Sequence, residues 1–361
     1  MSVAPPDNQN LISNFLAALA QVPGLQQEFC EVDPSVEPLC PSRADASLRL
    51  TVGKKSVRLF LYVRKSIYPR DVRDFLWNFR NDSNAKSAEI HHVIVSEAIS
   101  GGAKELLKSE RVGYFDSGGS LFLPIPGAYI LIDKPPPKAH AKVMNSIFSG
   151  RRAFVLHALL FHNNRWFRVN DIANITGIAP STASDVLTEL ERLDWVESRG
   201  LGPKKERHLA KPSELLNAWT NEIADFSHPT QQRYYVPGEK SETLLRRLAE
   251  TFKVHGVDYA IGYEAAAQQY APFLSTISQT RVHAAPNQSL EAALAALRAR
   301  SVTEGANLTI VNAKSSGDLL FRNDIDGVWL ASPIQVYLDL ARGEGRAKEM
   351  AEHLRRERIG F

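Results

Sequence analysis

Hydrophobic positions along this chain recur with two periods, near 3.6 and 2, and the alternation between them marks its elements. In the middle, Phe154, Val155, Ala158, Leu159 and Phe161 fall on one helical face. Trp166–Val169 is a short β-like run. A second helix starts at Val169-Asn170-Asp171 with Asn170 as its N-cap, and Gly177 ends it with a tight turn. A third opens at Pro180 or Ser181, with Val186, Leu187, Leu190 and Leu193 at helical spacing. Two short strands follow, Trp195–Arg199 and Lys204–Leu209, joined by Gly200-Leu201-Gly202-Pro203.

The flanking stretches read differently. Toward the N-terminus the pattern predicts a helix over Leu11–Val22 and strands at Ser47–Val52 and Val57–Arg64 around a Gly53-Lys54-Lys55 turn. A helix at Pro69–Asn81 turns Val72, Phe75, Leu76 and Trp77 inward. A strand at His92–Val95, a helix at Gly102–Glu110 and strands at Val112–Phe115, Leu121–Leu123 and Tyr129–Ile132 follow. That order gives an α/β or α+β core around a mixed sheet. After Lys211 an amphipathic helix places Leu215, Leu216, Trp219 and Ile223 on one side. The remainder predicts helices at Ser241–Val254, Tyr263–Tyr270, Pro333–Arg342 and Arg346–Arg356. Its predicted strands are Tyr259–Ile261, Arg281–Ala284, Leu308–Val311 and Val328–Ala331.

Helix, helix, turn, helix, hairpin is the order of a winged helix-turn-helix, which holds its third helix so that the N-terminus enters a major groove. The outward residues there, Ser181, Thr182, Ser184 and Asp185, are small and polar enough to approach base edges. The hairpin carries Arg199, Lys204, Lys205, Arg207 and Lys211 against one acid, Glu206. A local excess of that sign suits phosphates or a minor groove. Double-stranded DNA is therefore the expected partner, with Ser181, Thr182, Ser184, Arg199, Lys204, Lys205 and Arg207 as contacts.

Composition narrows the setting. A chain of 361 residues holds two or three domains. The borders fall at a tail (1–23), an α/β domain (24–133), a winged domain (139–225) and a last domain (228–361). Lys134–Lys138 (Lys-Pro-Pro-Pro-Lys) is a stiff linker, and Ala139–Ser149 adds a leading helix to the winged domain. The net charge is only +3, so nucleic-acid contact must come from a local patch. Cys30 and Cys40 provide no disulfide framework or metal spacing, which fits a reducing cytoplasm. No apolar run reaches the ~18 residues of a membrane span. The N-terminus lacks the basic start and apolar core of a secretory signal.

Three stretches resemble known families. ADASLRLTVGKKSVRLFLYVRKSIYPRDVRDFL looks like the core of a restriction-endonuclease-like fold. Nuclease members of that fold place an Asp before one strand and Glu-x-Lys on the next. Here Asp45 matches the first acid, but Tyr62 and Arg64 stand at the other two positions, so no metal site is expected. Asp45 and Asp116 then read as turn residues. YAIGYEAAAQQYAP followed by TRVHA has the order of a minimal nucleotidyltransferase fold. Gly262-Tyr263 replaces its Gly-Ser, and Arg281 and His283 stand where carboxylates belong. Asp324-Ile325-Asp326 reads as a surface turn. VWLASPIQVYLDLARGEGRAKEMAEHLR is similar to the C-terminal region of AbiE-type antitoxins of bacterial type IV toxin–antitoxin systems, most specifically from Trp329 to Arg355.

The resemblance implies a DNA-binding regulator that represses its own operon and opposes a nucleotidyltransferase toxin, while the winged module suggests a homodimer on a palindrome. It implies no catalytic residue, cofactor or metal. The alternatives are a metal-dependent nuclease targeted by the winged helix, and a protein-binding adaptor.

Overall fold

The computed structural model describes residues 6–30, 44–81, 90–134, 146–224, 226–238, 241–274, 276–313 and 319–361. Cys40, most of the Lys134–Lys138 linker and residues 139–145 of the expected leading helix lie outside the described residues. The chain divides into two compact units: Met1–Asn145 with Thr188–Asp194, and Ser146–Leu187 with Trp195–Phe361.

The first unit runs α1 (Pro6–Ala20), β1 (Leu25–Cys30), β2 (Ala46–Val52), β3 (Lys55–Ile67), α2 (Pro69–Asn81), β4 (Ile90–Ile99), α3 (Gly101–Ser109), β5 (Gly113–Asp116), β6 (Leu121–Ile125) and β7 (Ala128–Ile132). All seven strands form one sheet in sequence order. The central strands β3, β4 and β5 are parallel, with α2 and α3 as their crossovers, and the outer pairs are antiparallel. Alternation along β3 buries Phe60 and Tyr62 on the face opposite Leu59, Leu61 and Val63. Leu59, Leu61 and Val63 join Phe15 and Leu19 of α1 in one core. Ile67 joins Val72 and Leu76 of α2 and Leu107 of α3 in the other.

Sequence and structure part at three places here. β1 has no alternating pattern, and its pairing with β2, from Leu25↔Val52 to Cys30↔Ser47, is what makes it a strand. Trp77 is 72% exposed, because Val72, Leu76 and the half-buried Phe75 and Phe79 already fill the sheet-facing stripe of α2. Asp116 does close a turn, its Oδ1 accepting from Ser120 N at 3.1 Å. It is also fully buried, with Oδ2 2.8 Å from Lys104 Nζ. A buried charge needs such a partner.

The second unit opens with 3-10 turns at Ser146–Phe148 and Gly150–Arg152, followed by α4 (Ala153–Phe161), β8 (Trp166–Phe167), α5 (Val169–Thr176), α6 (Pro180–Arg192), β9 (Val196–Arg199), β10 (Glu206–Leu209) and α7 (Pro212–Ala224). The last turn of α6 groups with the first unit. The chain continues through β11 (Gln231–Tyr235), α8 (Ser241–Val254), β12 (Tyr259–Gly262), α9 (Tyr263–Tyr270), β13 (Thr280–Ala284), α10 (Gln288–Ala296), β14 (Arg300–Ser301) and β15 (Leu308–Asn312). It ends with β16 (Asn323–Ile325), β17 (Val328–Leu330), α11 (Pro333–Ala341) and α12 (Arg346–Leu354). A seven-stranded mixed sheet has the order β14-β11-β15-β13-β12-β17-β16. The architecture is thus α/β and multidomain with a helix-turn-helix.

β11, α10, β14 and β16 add to the elements read from the sequence. α10 is alanine-rich and buries Leu290, Ala293 and Leu294, while Asn287 caps it by accepting from Leu290 N at 2.9 Å. The Asp324-Ile325-Asp326 stretch ends β16, and Asp326-Gly327, both at positive φ, turn it into β17.

Candidate nucleic-acid interface

The interface is built on the tight joint between α5 and α6. Asp171 Oδ2 accepts from Arg168 N at 2.8 Å, so Arg168 is the N-cap of α5 and the expected cap, Asn170, is its second residue. The acid three positions into the helix supplies the capping bond in place of an N-cap side chain. Gly177 caps the other end at φ 68°, donating to Ala173 O at 2.9 Å. The left-handed backbone there lets the chain reverse into α6.

Apolar packing fixes the angle. Ile172 and Ala173 of α5 and Ala183, Val186, Leu187 and Leu190 of α6 are buried. α4 buries Val155 through Leu160 all round, beyond the single face expected, while Phe154 and Phe161 are half-buried. A helix apolar on every side is a core helix.

What remains open is the start of α6. Pro180, Ser181 and Asp185 are exposed, and Thr182 and Ser184 are half-buried. Ser184 takes part in a further interaction of its own.

The wing is a three-stranded sheet of order β8-β10-β9. Its turn needs glycine at Gly200, where φ is 77° and a Cβ would stand 2.9 Å from Lys204 O. Leu201, at the apex, is 89% exposed. Lys204 is exposed beside it, and Lys205 is half-buried and engaged.

The other two expected wing contacts have different surroundings. Arg199 is exposed, but its Nε and Nη2 lie 2.9 and 2.7 Å from Glu206 Oε2, and its guanidinium sits 4.2 Å over the Trp166 ring. Arg168 Nε lies 3.7 Å from the other oxygen of Glu206. Arg207 is only 6% exposed. Strand alternation turns it inward with Leu209, opposite Phe167 of β8 and Ser198 of β9. Its position departs from the outward-facing cation read from the sequence.

Reasoning from the hairpin alone overlooked Arg151, Arg165 and Arg168. Arg151 is exposed and donates to Gly177 O at 3.5 Å, and Arg165 stacks 5.4 Å over Phe167. Their signal was the paired clusters at Arg151-Arg152 and Arg165–Arg168 beside the turns.

Residues 151–200 match the IclR helix-turn-helix domain. The chain carries a DNA-binding helix-turn-helix of a transcription regulator. The matched segment covers α4, β8, α5, α6 and β9. No curated protein and no solved structure matches the chain.

The positions compared with catalytic residues in the sequence hold paired side chains. Asp45 Oδ2 accepts from Val63 N at 2.7 Å and from Arg64 Nη1 at 3.0 Å. Tyr62 Oη is hydrogen-bonded to His92 Nδ1 at 2.9 Å. Arg281 lies 3.6 Å from Glu264, and buried His283 is 2.7 Å from Asp339. A Cβ on Gly262 would stand 2.6 Å from the His283 ring, so that pair packs directly on the backbone. Among the described residues no cluster of three His, Cys, Asp or Glu is placed to hold a metal ion. No described helix is long and apolar enough to cross a membrane.

Proposed function

We propose that the protein is a sequence-specific transcriptional repressor of antitoxin type that acts on its own operon. The observation that carries the DNA-binding part is the IclR-type helix-turn-helix over residues 151–200, whose third helix leaves Pro180–Ser181 open. Base edges are read by Ser181, Thr182 and Ser184. Phosphates are met by Lys204, Lys205 and the arginines around α5. The resemblance of Trp329–Arg355 to AbiE-type antitoxins supports a nucleotidyltransferase toxin as partner. A homodimer on a palindrome with half-sites about one helical turn apart suits such a module.

Both enzyme-like regions are proposed to be silent. Asp45 is engaged by Arg64, and Arg281 and His283 each face a carboxylate. A guanidinium beside the one acid opposes a divalent cation there. Plasmid incubated with Mg²⁺ or Mn²⁺ should stay intact. Cleavage that disappears in Asp45→Ala would replace this reading with the nuclease.

The DNA test is anisotropy titration of the full chain against its own promoter and a random duplex, repeated across salt concentrations. Tighter binding to the promoter is expected. Equal binding to both would remove sequence specificity, and binding to neither would favour the protein-binding adaptor.

A further inference from the structure

The apex of the wing carries no polar side chain. From Gly200 to Pro203 it reads Gly-Leu-Gly-Pro, and all four residues are exposed. At 89%, Leu201 is the most exposed large hydrophobic residue among those described. Single exposed leucines are ordinary on protein surfaces, so the setting of this one decides what it means. The backbone beneath it is fixed. Gly200 and Gly202 hold φ 77° and 57°, and a Cβ on Gly200 would meet Lys204 O at 2.9 Å. Lys205 N donates to Gly202 O at 3.1 Å across a 3-10 turn that contains Pro203. A tight turn thus holds the leucine out in water. Glycines on both sides leave it the only side chain at the apex, so the tip is narrow.

The charge around the tip has one sign. Arg199 and Lys204, on its two flanks, are exposed. The acids of the hairpin stand back from the apex. Glu206 is met by Arg199 and Arg168, and Glu197 lies opposite His208. An apolar point therefore sits between cationic shoulders on a DNA-binding domain.

Chemistry selects the surface that such a tip fits. Gly-Leu-Gly-Pro offers no side-chain donor or acceptor, so it cannot read the hydrogen-bonding edges of the major groove. The minor groove is about 6 Å wide, and apolar wedges, leucine among them, enter it, unstack a base step and kink the duplex. The phosphates along its rims suit the flanking cations.

We propose that Leu201 is such a wedge: it enters the minor groove, opens a base step and bends the duplex while α6 reads the major groove. The wing then contributes to sequence choice through how readily a step deforms, and not through hydrogen bonds. This role rests on the DNA-binding reading and adds to it a contact that carries neither charge nor hydrogen bond.

The test uses the full chain on its own promoter duplex, with dyes at the two DNA ends and energy transfer reporting the bend. Wild-type binding should bring the ends together by a kink of at least about 20°. Leu201→Ser changes an exposed side chain, so it should keep the wild-type denaturant-unfolding curve and still bind the promoter. Its complex should be straight and its affinity about tenfold lower, for the lost apolar burial. Its salt slope should not change, because no phosphate contact is removed. Leu201→Met should keep the bend. A wild-type complex without a bend, or a Leu201→Ser complex bent as far as the wild type, would overturn the wedge and leave DNA binding standing. A lower sedimenting mass for Leu201→Ser without DNA would make the tip a contact between copies and overturn the wedge as well. A wild type that binds neither promoter nor random duplex would remove the DNA-binding reading and the wedge together.

Discussion

Lys204 and Arg207 lie three positions apart on one wing and have opposite surroundings. Lys204 is exposed at the tip, so Lys204→Ala should weaken binding to every duplex and lower the salt slope by roughly one. A salt titration on promoter and random DNA checks this. Arg207 is buried between two strands, so Arg207→Ala should act first on folding, at about 1–3 kcal/mol. Denaturant unfolding should show that loss, and the salt slope should move little. His157 offers a second test at this scale. It is fully buried against Ser332, and burial pushes its pKa down from 6.5 to about 3. The folded state therefore holds this imidazole neutral while the unfolded chain protonates it. Its contribution is fully present above about pH 6.5 and is lost as pH falls toward about 3. Its share of the slope is at most about 1.4 kcal/mol per pH unit. His157→Asn should show a shallower fall of melting temperature between pH 7 and pH 4.5 than the wild type. Parallel curves would remove His157 as the group responsible.

At the scale of elements, the α5–α6 joint depends on two local devices. Gly177 holds φ 68°, where a Cβ is disfavoured, so Gly177→Ala should cost about 1–2 kcal/mol. Asp171→Ala removes the bond to Arg168 N and should cost about 1 kcal/mol. Leu187, fully buried in α6, should cost about 2–5 kcal/mol when cut to Ala. Chemical denaturation compares the three, and a Gly177→Ala chain as stable as the wild type would contradict the turn geometry. This joint was legible in the sequence because its period, glycine and proline are neighbours along the chain. The capping residue was not, because Asn170 and Asp171 both suit a helix start and only the backbone path selects between them. β1 and α10 were missed for a different reason. Leu25–Cys30 lacks alternation and Gln288–Ala296 is mostly small residues, so neither displays a periodic face before a neighbour covers it.

For the whole molecule, the dimer reading predicts two copies of the full chain on one palindromic promoter duplex. Sedimentation velocity should give that mass, and a single copy per duplex would remove the palindrome. The sequence by itself determined the helix-turn-helix and its wing and most strands of the two large sheets. Those features depend on neighbours within a few positions, where period, turn chemistry and residue type are directly visible. Tertiary structure alone decided which charges are engaged and which elements share a core. Glu206 holds both Arg199 and Arg168, and Asp116 is buried on Lys104 rather than serving only as a turn residue. His157 of the winged domain meets Ser332, 175 positions away, so the winged domain and the C-terminal sheet belong to one unit. Burial depends on what packs across a surface, and in this chain those partners come from segments that no local pattern connects.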